Sequence, residues 1–145
     1  MKVLIIEDDD YKAQNLVAFT EKKFPRVYID VAVSLIEAID AIDDKVYDLI
    51  LVDMAIPSHT AVQGEGAPIS FLTGGIDVLL ELSEMERDDV CIVITQHPSI
   101  EISGEHYSLE DATRCFKELL GCNVKACIYY VQDEEKWLVD LEKAL

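Results

Sequence analysis

The sequence predicts an α/β fold with a mainly parallel sheet, because short apolar runs alternate along the chain with segments of helical periodicity. The run Leu49–Val52 is apolar throughout, as central strands buried on both faces usually are. The chain has 145 residues, close to the usual length of about 150 residues for one domain. Since no internal repeat divides the sequence, we expect a single domain over residues 1–145.

Apolar runs and capping patterns define the elements of this fold. Five strands are predicted: Lys2–Ile6, Val27–Val33, Asp48–Val52, Val90–Thr95 and Lys125–Val131. Five helices flank them in a doubly wound arrangement: one over Asp10–Phe24, one opening with the capping box Ser34-x-x-Glu37, one after Gly74-Gly75, one from Ser108 to Gly121, and one over Asp133–Leu145.

Composition excludes several classes of function. The 29 acidic and 12 basic residues give a formal net charge of −17, which argues against binding to nucleic-acid phosphates or to anionic membranes. The same charge suits metal ions and basic protein partners. No apolar run approaches the roughly 20 residues that a spanning helix needs, and the start of the chain has no signal-peptide core. The four cysteines include no Cys-x-x-Cys pair, so we expect reduced thiols in a cytoplasmic protein.

Two connections, residues 54–73 and 96–107, are longer than the roughly 2–6 residues usual between elements of such folds. Both follow a predicted strand, so both lie at the carboxyl edge of the sheet, where open α/β folds bind ligands. We predict that the first covers or flanks the site at this edge; a passive insertion is the alternative. The histidines His59, His97 and His106 fall in these connections and are interpreted as solvated side chains.

Acidic residues follow two strands that we expect to be neighbours. Glu7 and Asp8 follow the first strand and Asp53 follows the third, and a sheet of order 2-1-3-4-5 places these ends side by side. Clustered carboxylates repel one another unless a cation is bound, and Mg²⁺ is the simplest such cation. The alternative interpretation of the acids after the first strand is helix capping, which we expect of Asp9 and Asp10.

Thr95 ends the fourth predicted strand, beside the end that carries Asp53 in the same strand order. A hydroxyl at this position can donate to an oxygen of a phosphoryl group on Asp53. A β-branched residue that merely fills the strand is the alternative.

The sequence resembles the receiver domain of two-component response regulators over most of its length. The resemblance is carried by the acidic cluster after Val3-Leu4-Ile5-Ile6, by Asp48-Leu-Ile-Leu-Val-Asp53-Met-Ala-Ile-Pro57, and by Ile92-Val-Ile-Thr95. It implies a flavodoxin-like fold. It also implies the following roles: Asp53 as phosphoacceptor, Asp8 as direct and Glu7 as water-mediated Mg²⁺ ligand, the backbone carbonyl of Ala55 as a further ligand, Thr95 as switch hydroxyl, and Tyr129 as the aromatic switch residue, with Tyr130 as a neighbouring option.

One position departs from the family pattern. Receivers usually carry a Lys-Pro pair at the end of the fifth strand, whereas Gln132 occupies the lysine position here. A glutamine can donate a hydrogen bond to a phosphoryl oxygen but brings no charge, and charged hydrogen bonds are roughly twice as strong. The sequence therefore predicts that Gln132→Lys strengthens the binding of a phosphoryl mimic such as beryllofluoride.

The resemblance implies a stand-alone switch rather than an enzyme, with activity limited to its own phosphotransfer and autodephosphorylation. Its expected partners are a histidine kinase or phosphotransfer protein and a downstream protein. The downstream partner is expected because the length leaves no room for an output domain. A homodimer is left open. A phosphorylation-independent pseudo-receiver is the alternative. Phosphatases of the haloacid-dehalogenase type and Toprim enzymes rank lower, because Asp8-x-Asp10-Tyr11-Lys12 and Asp53-x-Ala55 depart from their motifs.

Overall fold

The computed structural model describes residues 1–59, 70–71 and 74–145. Its elements, in chain order, are β1 (Lys2–Ile6), α1 (Asp10–Lys23), β2 (Tyr28–Ala32), α2 (Leu35–Asp44), β3 (Leu49–Val52), β4 (Ile56–Pro57), β5 (Ser70–Phe71), α3 (Gly74–Glu84), β6 (Val90–Thr95), β7 (Ser99–Ile102), β8 (Glu105–Ser108), α4 (Leu109–Glu118), β9 (Val124–Tyr129) and α5 (Lys136–Ala144).

The central sheet has five strands in the order β2-β1-β3-β6-β9. Every pairing in it is parallel. This confirms the predicted doubly wound sheet of order 2-1-3-4-5 when its five strands are counted along the chain. In the register of β1 and β3, Ile6 lies beside Val52. The residues that follow these two strands therefore leave the sheet side by side at its carboxyl edge.

Both faces of the sheet are covered by apolar side chains from helices. In β3, Ile50 and Val52 face a cluster with residues of α2, α3 and α4, whereas Leu49 and Leu51 face a second cluster with residues of α1 and α5. Because successive strand residues point to opposite faces, a strand buried on both sides must be apolar throughout. Because one apolar cluster covers each face of the sheet, the four residues of β3 are all buried.

The connection between β6 and α4 contains an antiparallel hairpin, β7–β8, which the sequence analysis treated as a loop. Ile100 and Ile102 of β7 are each 4% exposed, whereas Glu101 between them is exposed. This alternation of apolar and polar residues is the pattern of a strand with one buried face. The hairpin therefore adds a packed structure beside the carboxyl edge.

The last helix begins at Lys136, three residues after the predicted start at Asp133. Asp133 has a φ of 65°, in the left-handed region, so the backbone cannot continue there as a right-handed helix. Asp133, Glu134 and Glu135 therefore precede the first residue of the helix. Within the described residues, no helix combines the length and apolar character needed to cross a bilayer.

Most of the first long connection, residues 60–69 and 72–73, lies outside the described residues. The prediction that this connection covers or flanks the acidic site therefore remains a prediction. At its described ends, β4 and β5 pair antiparallel, with Ile56 opposite Phe71.

Arg87 joins the segments that precede β3 and β6. Its guanidinium donates to the carbonyl oxygens of Ile42 and Lys45 and to the carboxylate of Asp89. That carboxylate also accepts the backbone N–H of Tyr47 at 2.7 Å. Burial acts to raise the pKa of Asp89, but the hydrogen bonds from Arg87 and Tyr47 outweigh it and hold the pKa below its usual value.

We expect Asp89→Asn to lower the free energy of unfolding by about 2 kcal/mol at neutral pH, because it removes charged hydrogen bonds to Arg87. A carboxylate whose pKa is lower in the folded state stabilises the protein above its unfolded pKa, and this contribution is lost as the pH falls through the folded value. The difference in the free energy of unfolding between Asp89→Asn and wild type should therefore become smaller as the pH falls. Urea unfolding over a pH series measures it, with the exposed Asp88→Asn as control. A pH-independent difference would contradict this account.

Candidate functional site

The carboxyl edge of the sheet brings three carboxylates together. Glu7 and Asp8 follow β1, Asp53 follows β3, and one carboxylate oxygen of each lies within 4.8 Å of the others. Glu7 and Asp53 are buried, at 1% and 8% exposure, whereas Asp8 is exposed. The backbone N–H of Asp53 donates to the carbonyl of Ile6 at 3.0 Å, which continues the ladder of the sheet beyond β3. The strand order thus produces the cluster that the sequence predicted.

A lysine from α1 enters this cluster. The Lys12 Nζ lies 2.6 Å from Glu7 Oε2 and 3.4 Å from Asp53 Oδ1, and it donates to the carbonyl oxygen of Ile94 at 2.7 Å. Its side chain is 1% exposed, and the ring of Tyr130 lies beside the ammonium, with the centroid 5.5 Å away. An ammonium has three N–H donors, and Lys12 has three oxygen partners for them.

The first turn of α1 fixes the backbone that carries this lysine. Asp9 is the N-cap, and its Oδ1 accepts the backbone N–H of Lys12 at 2.8 Å. The Asp9 N–H in turn donates to Glu7 Oε1 at 3.0 Å. Asp9 is therefore a capping residue, whereas Asp10 begins the helix itself.

The sequence motifs do not predict Lys12 as a residue of the site. A signal for it was present, because Lys12 precedes Leu16 by four residues and Thr20 by eight, and all three lie on the buried face of α1. Residues at this spacing share one face of a helix. A lysine in line with buried residues at the start of a helix, next to an acidic cluster, is the pattern of a buried ion pair.

Burial sets the electrostatics of the two inner carboxylates. Loss of solvent raises the pKa of Glu7 to about 8; Lys12 opposes this rise and the neighbouring Asp53 adds to it. Burial also raises the pKa of Asp53, against the lowering effects of Lys12 and of the Ala55 backbone N–H. The single ammonium therefore does not compensate the negative charge of this cluster.

The donor set fits Mg²⁺. Glu7 Oε2 is buried, and its partner within the described residues is the Lys12 ammonium at 2.6 Å, so the oxygen keeps a further lone pair for a metal ion. Carboxylate oxygens on adjoining strand ends, with exposed Asp8 open to water, match the preference of Mg²⁺ for a few oxygen ligands plus waters. Glu7, Asp8 and Asp53 are the residues that would hold the ion. A ligand bond from the Ala55 carbonyl remains a prediction.

The other residues predicted for the site lie at the end of β6 and at or beyond the end of β9. Thr95 ends β6 with no exposed surface, and its Oγ1 accepts the backbone N–H of His97 at 3.1 Å. Tyr129 is 43% exposed on β9, whereas Tyr130 is buried beside Lys12. Gln132 follows β9, is exposed, and makes no side-chain hydrogen bond within the part of the chain that the structure describes.

The histidines do not join the carboxylates. His59 shares a hydrogen bond with the neighbouring Ser58 hydroxyl, and His97 and His106 are exposed near the hairpin. Within the described ranges, the group that could hold a metal consists of the three carboxylates alone. The interpretation of the histidines as solvated side chains agrees with these positions.

The fold and the acidic edge together define a receiver domain of response regulators. The response regulator TrrA from Thermotoga maritima, solved in complex with Mg²⁺ and BeF, superposes with a TM-score of 0.61 at 17% identity, over 99% of this chain and 98% of that one. A CheY-like receiver domain from Methanospirillum hungatei JF-1 superposes with a TM-score of 0.62 at 16% identity, over 98% and 90%. At such identities the likeness is one of fold.

Sequence similarity shows the family to which the chain belongs. The Detocs response regulatory protein DtcB from Vibrio alginolyticus is 31% identical over 138 residues, which are 93% of this chain and 93% of DtcB. No model of a known protein family matches the chain. With this relative, the chain belongs to the family of response regulator receiver domains, as the resemblance of its motifs predicted.

Proposed function

We propose that the protein is a phosphoacceptor switch of a two-component phosphorelay, phosphorylated on Asp53 with Mg²⁺. The observation that carries the proposal is the convergence of Glu7, Asp8 and Asp53 at adjoining strand ends. The phosphodonor would be a histidine kinase or phosphotransfer protein, and the output would pass through contacts with another protein. A cytoplasmic location is part of this proposal.

In this proposal Asp53 acts as the nucleophile. One of its carboxylate oxygens would form a bond to phosphorus, while the bond from phosphorus to the donor's nitrogen or oxygen breaks and its electron pair leaves with the donor. The Ala55 N–H, which hydrogen-bonds the Asp53 carboxylate, helps to orient it. When bound, Mg²⁺ neutralises charge on the transferring phosphoryl oxygens.

Thr95 is the candidate to bind the transferred group. Its Oγ1 accepts a hydrogen bond from the His97 backbone, so the hydroxyl hydrogen is available for an acceptor such as a phosphoryl oxygen. A phosphorylation-independent module is not favoured, because such a module has no need for three converging carboxylates whose mutual repulsion is a cost.

Intact mass after incubation with acetyl phosphate and Mg²⁺ tests the proposal. We expect wild type to gain the mass of one phosphoryl group, Asp53→Asn to gain none, and a chelator to abolish the gain. Asp77→Asn, an exposed carboxylate of α3, is the matched control and should be labelled like wild type. An unlabelled wild type, or an Asp53→Asn protein labelled to the same extent, would overturn the proposal.

The metal site has its own expected result. We predict Mg²⁺ binding in the millimolar range, as for open sites in which water supplies several ligands. In an NMR titration the shifts should cluster at residues 7–9 and 53–56, and Asp8→Asn should weaken them. Shifts spread evenly over the acidic surface would indicate a diffuse ion atmosphere instead of a site.

A further inference from the structure

The position usually held by a lysine in this family is neutral here, yet the pocket contains a cation. Gln132 is exposed beyond β9, and the ammonium beside Asp53 comes from Lys12 on α1. We propose that Lys12 is the charge partner of the phosphoryl group on Asp53, supplied from the first helix instead of the last strand. This inference rests on the proposed function and names a further residue of the same site.

The contacts of Lys12 suit this role. Its distances to Glu7 Oε2 and to the Ile94 carbonyl, 2.6 Å and 2.7 Å, are short, whereas its distance to Asp53 Oδ1 is 3.4 Å. The two short contacts hold the ammonium in place, and the long one is loose enough to be exchanged. When Asp53 carries a phosphoryl group, an N–H of Lys12 can therefore turn to a phosphoryl oxygen without leaving Glu7 or Ile94.

The geometry of α1 makes Lys12 a fixed component of the site. The Asp9 cap holds the Lys12 backbone, and Tyr130 packs beside its ammonium. In the described part of the chain, no other lysine or arginine forms an ion pair with Glu7, Asp8 or Asp53. Lys12 is thus the cation already next to the acceptor when a phosphoryl group arrives.

Charge balance points the same way. The three carboxylates, when ionised, are offset by one ammonium and one divalent cation, so Lys12 and Mg²⁺ together neutralise the cluster. Because Gln132 is exposed and Lys12 already provides an ammonium beside Asp53, the proposal gives a different expectation for Gln132→Lys: the affinity for a phosphoryl mimic should stay nearly unchanged.

The test compares two affinities in each variant: that for Mg²⁺ alone and that for beryllofluoride at saturating Mg²⁺. For Lys12→Met we expect tighter Mg²⁺ binding, because a cation leaves the cluster, and at least tenfold weaker beryllofluoride binding, because a charged donor to its fluorines is lost. Lys22→Met makes the same change at an exposed position of α1 and should match wild type in both affinities.

The expected changes in the two affinities, tighter for Mg²⁺ and weaker for beryllofluoride, distinguish this role of Lys12 from a purely structural one. A variant that merely distorts the pocket would bind both probes more weakly, and that result would overturn the inference, as would unchanged beryllofluoride binding. A failure of the proposed function gives a different result: wild type itself would bind no beryllofluoride and take up no phosphoryl group. That result would overturn the inference as well.

Gln132→Lys provides a second route should Lys12→Met not fold. The substitution is at an exposed position, and we expect the beryllofluoride affinity to stay within threefold of wild type. A tenfold or greater gain would mean that the pocket lacks its phosphoryl-binding cation. That result would overturn the role given to Lys12.

Discussion

Replacing Gly75 by alanine is expected to destabilise the protein by about 3 kcal/mol, through overpacking against Asp53 and Met54, the residues that follow β3. A Cβ at Gly75 would lie 2.6 Å from the Met54 Cε and 2.9 Å from the Met54 Cα, and would clash with the carbonyl oxygen of Asp53. The Gly75 N–H donates to the carbonyl of Met54 at 2.9 Å, which holds α3 against this loop. The backbone of Asp53 and Met54 must therefore shift to accept the extra methyl group.

Urea unfolding measures the loss of stability, and the rate of acetyl phosphate labelling measures the displacement of Asp53. Gly104→Ala is the control, since a Cβ there meets no atom within 4 Å, although its φ of 83° adds some backbone strain. Met54→Ala should not rescue Gly75→Ala, because the clash with the Asp53 backbone persists. A Gly75→Ala protein with the stability and labelling rate of wild type would contradict this account.

In metal-free protein, Lys12→Met is expected to lower the free energy of unfolding by about 3–5 kcal/mol. The substitution leaves Glu7 and Asp53 buried together without their cation. Breaking a buried ion pair from one side is costly because the remaining charge keeps its desolvation penalty. Adding Mg²⁺ should restore part of the loss, since the ion binds the folded state and offsets the same charges.

Thermal or urea unfolding with a chelator and with Mg²⁺ provides the measurement. Lys22→Met, exposed on the same helix, should change stability by less than about 0.5 kcal/mol in either condition. The stabilisation by Mg²⁺ should be larger in Lys12→Met than in wild type. Equal stabilisation of both proteins would show that Lys12 and the metal do not share the charge of one cluster.

The sequence was sufficient for the sheet and for its acidic edge. Apolar runs such as Leu49–Val52 mark the buried strands, and a carboxylate directly after such a run must lie at the carboxyl edge. The convergence of Glu7 and Asp53 then follows from strand order alone. These features are local in sequence or depend only on topology, which is why they could be predicted.

The features that were missed depend on tertiary contacts. A lysine in a first helical turn is ordinarily exposed, and Lys12 is buried because Glu7, Asp53 and the carbonyl oxygen of Ile94 are its partners. The hairpin was missed because β7 and β8 are short, with a burial pattern set by packing beside α4. The late start of α5 depends on the backbone turn at Asp133.

The hydrogen bond from the His97 backbone to Thr95 Oγ1 couples the site to the outer surface of the protein. His97 leads directly into the hairpin, so a rotation of Thr95 that breaks this bond also frees the base of the hairpin. One such bond contributes only about 1 kcal/mol, which corresponds to roughly a fivefold change in population. The bond would then act as a weak and readily reversible link between the Thr95 side chain and the start of the hairpin connection.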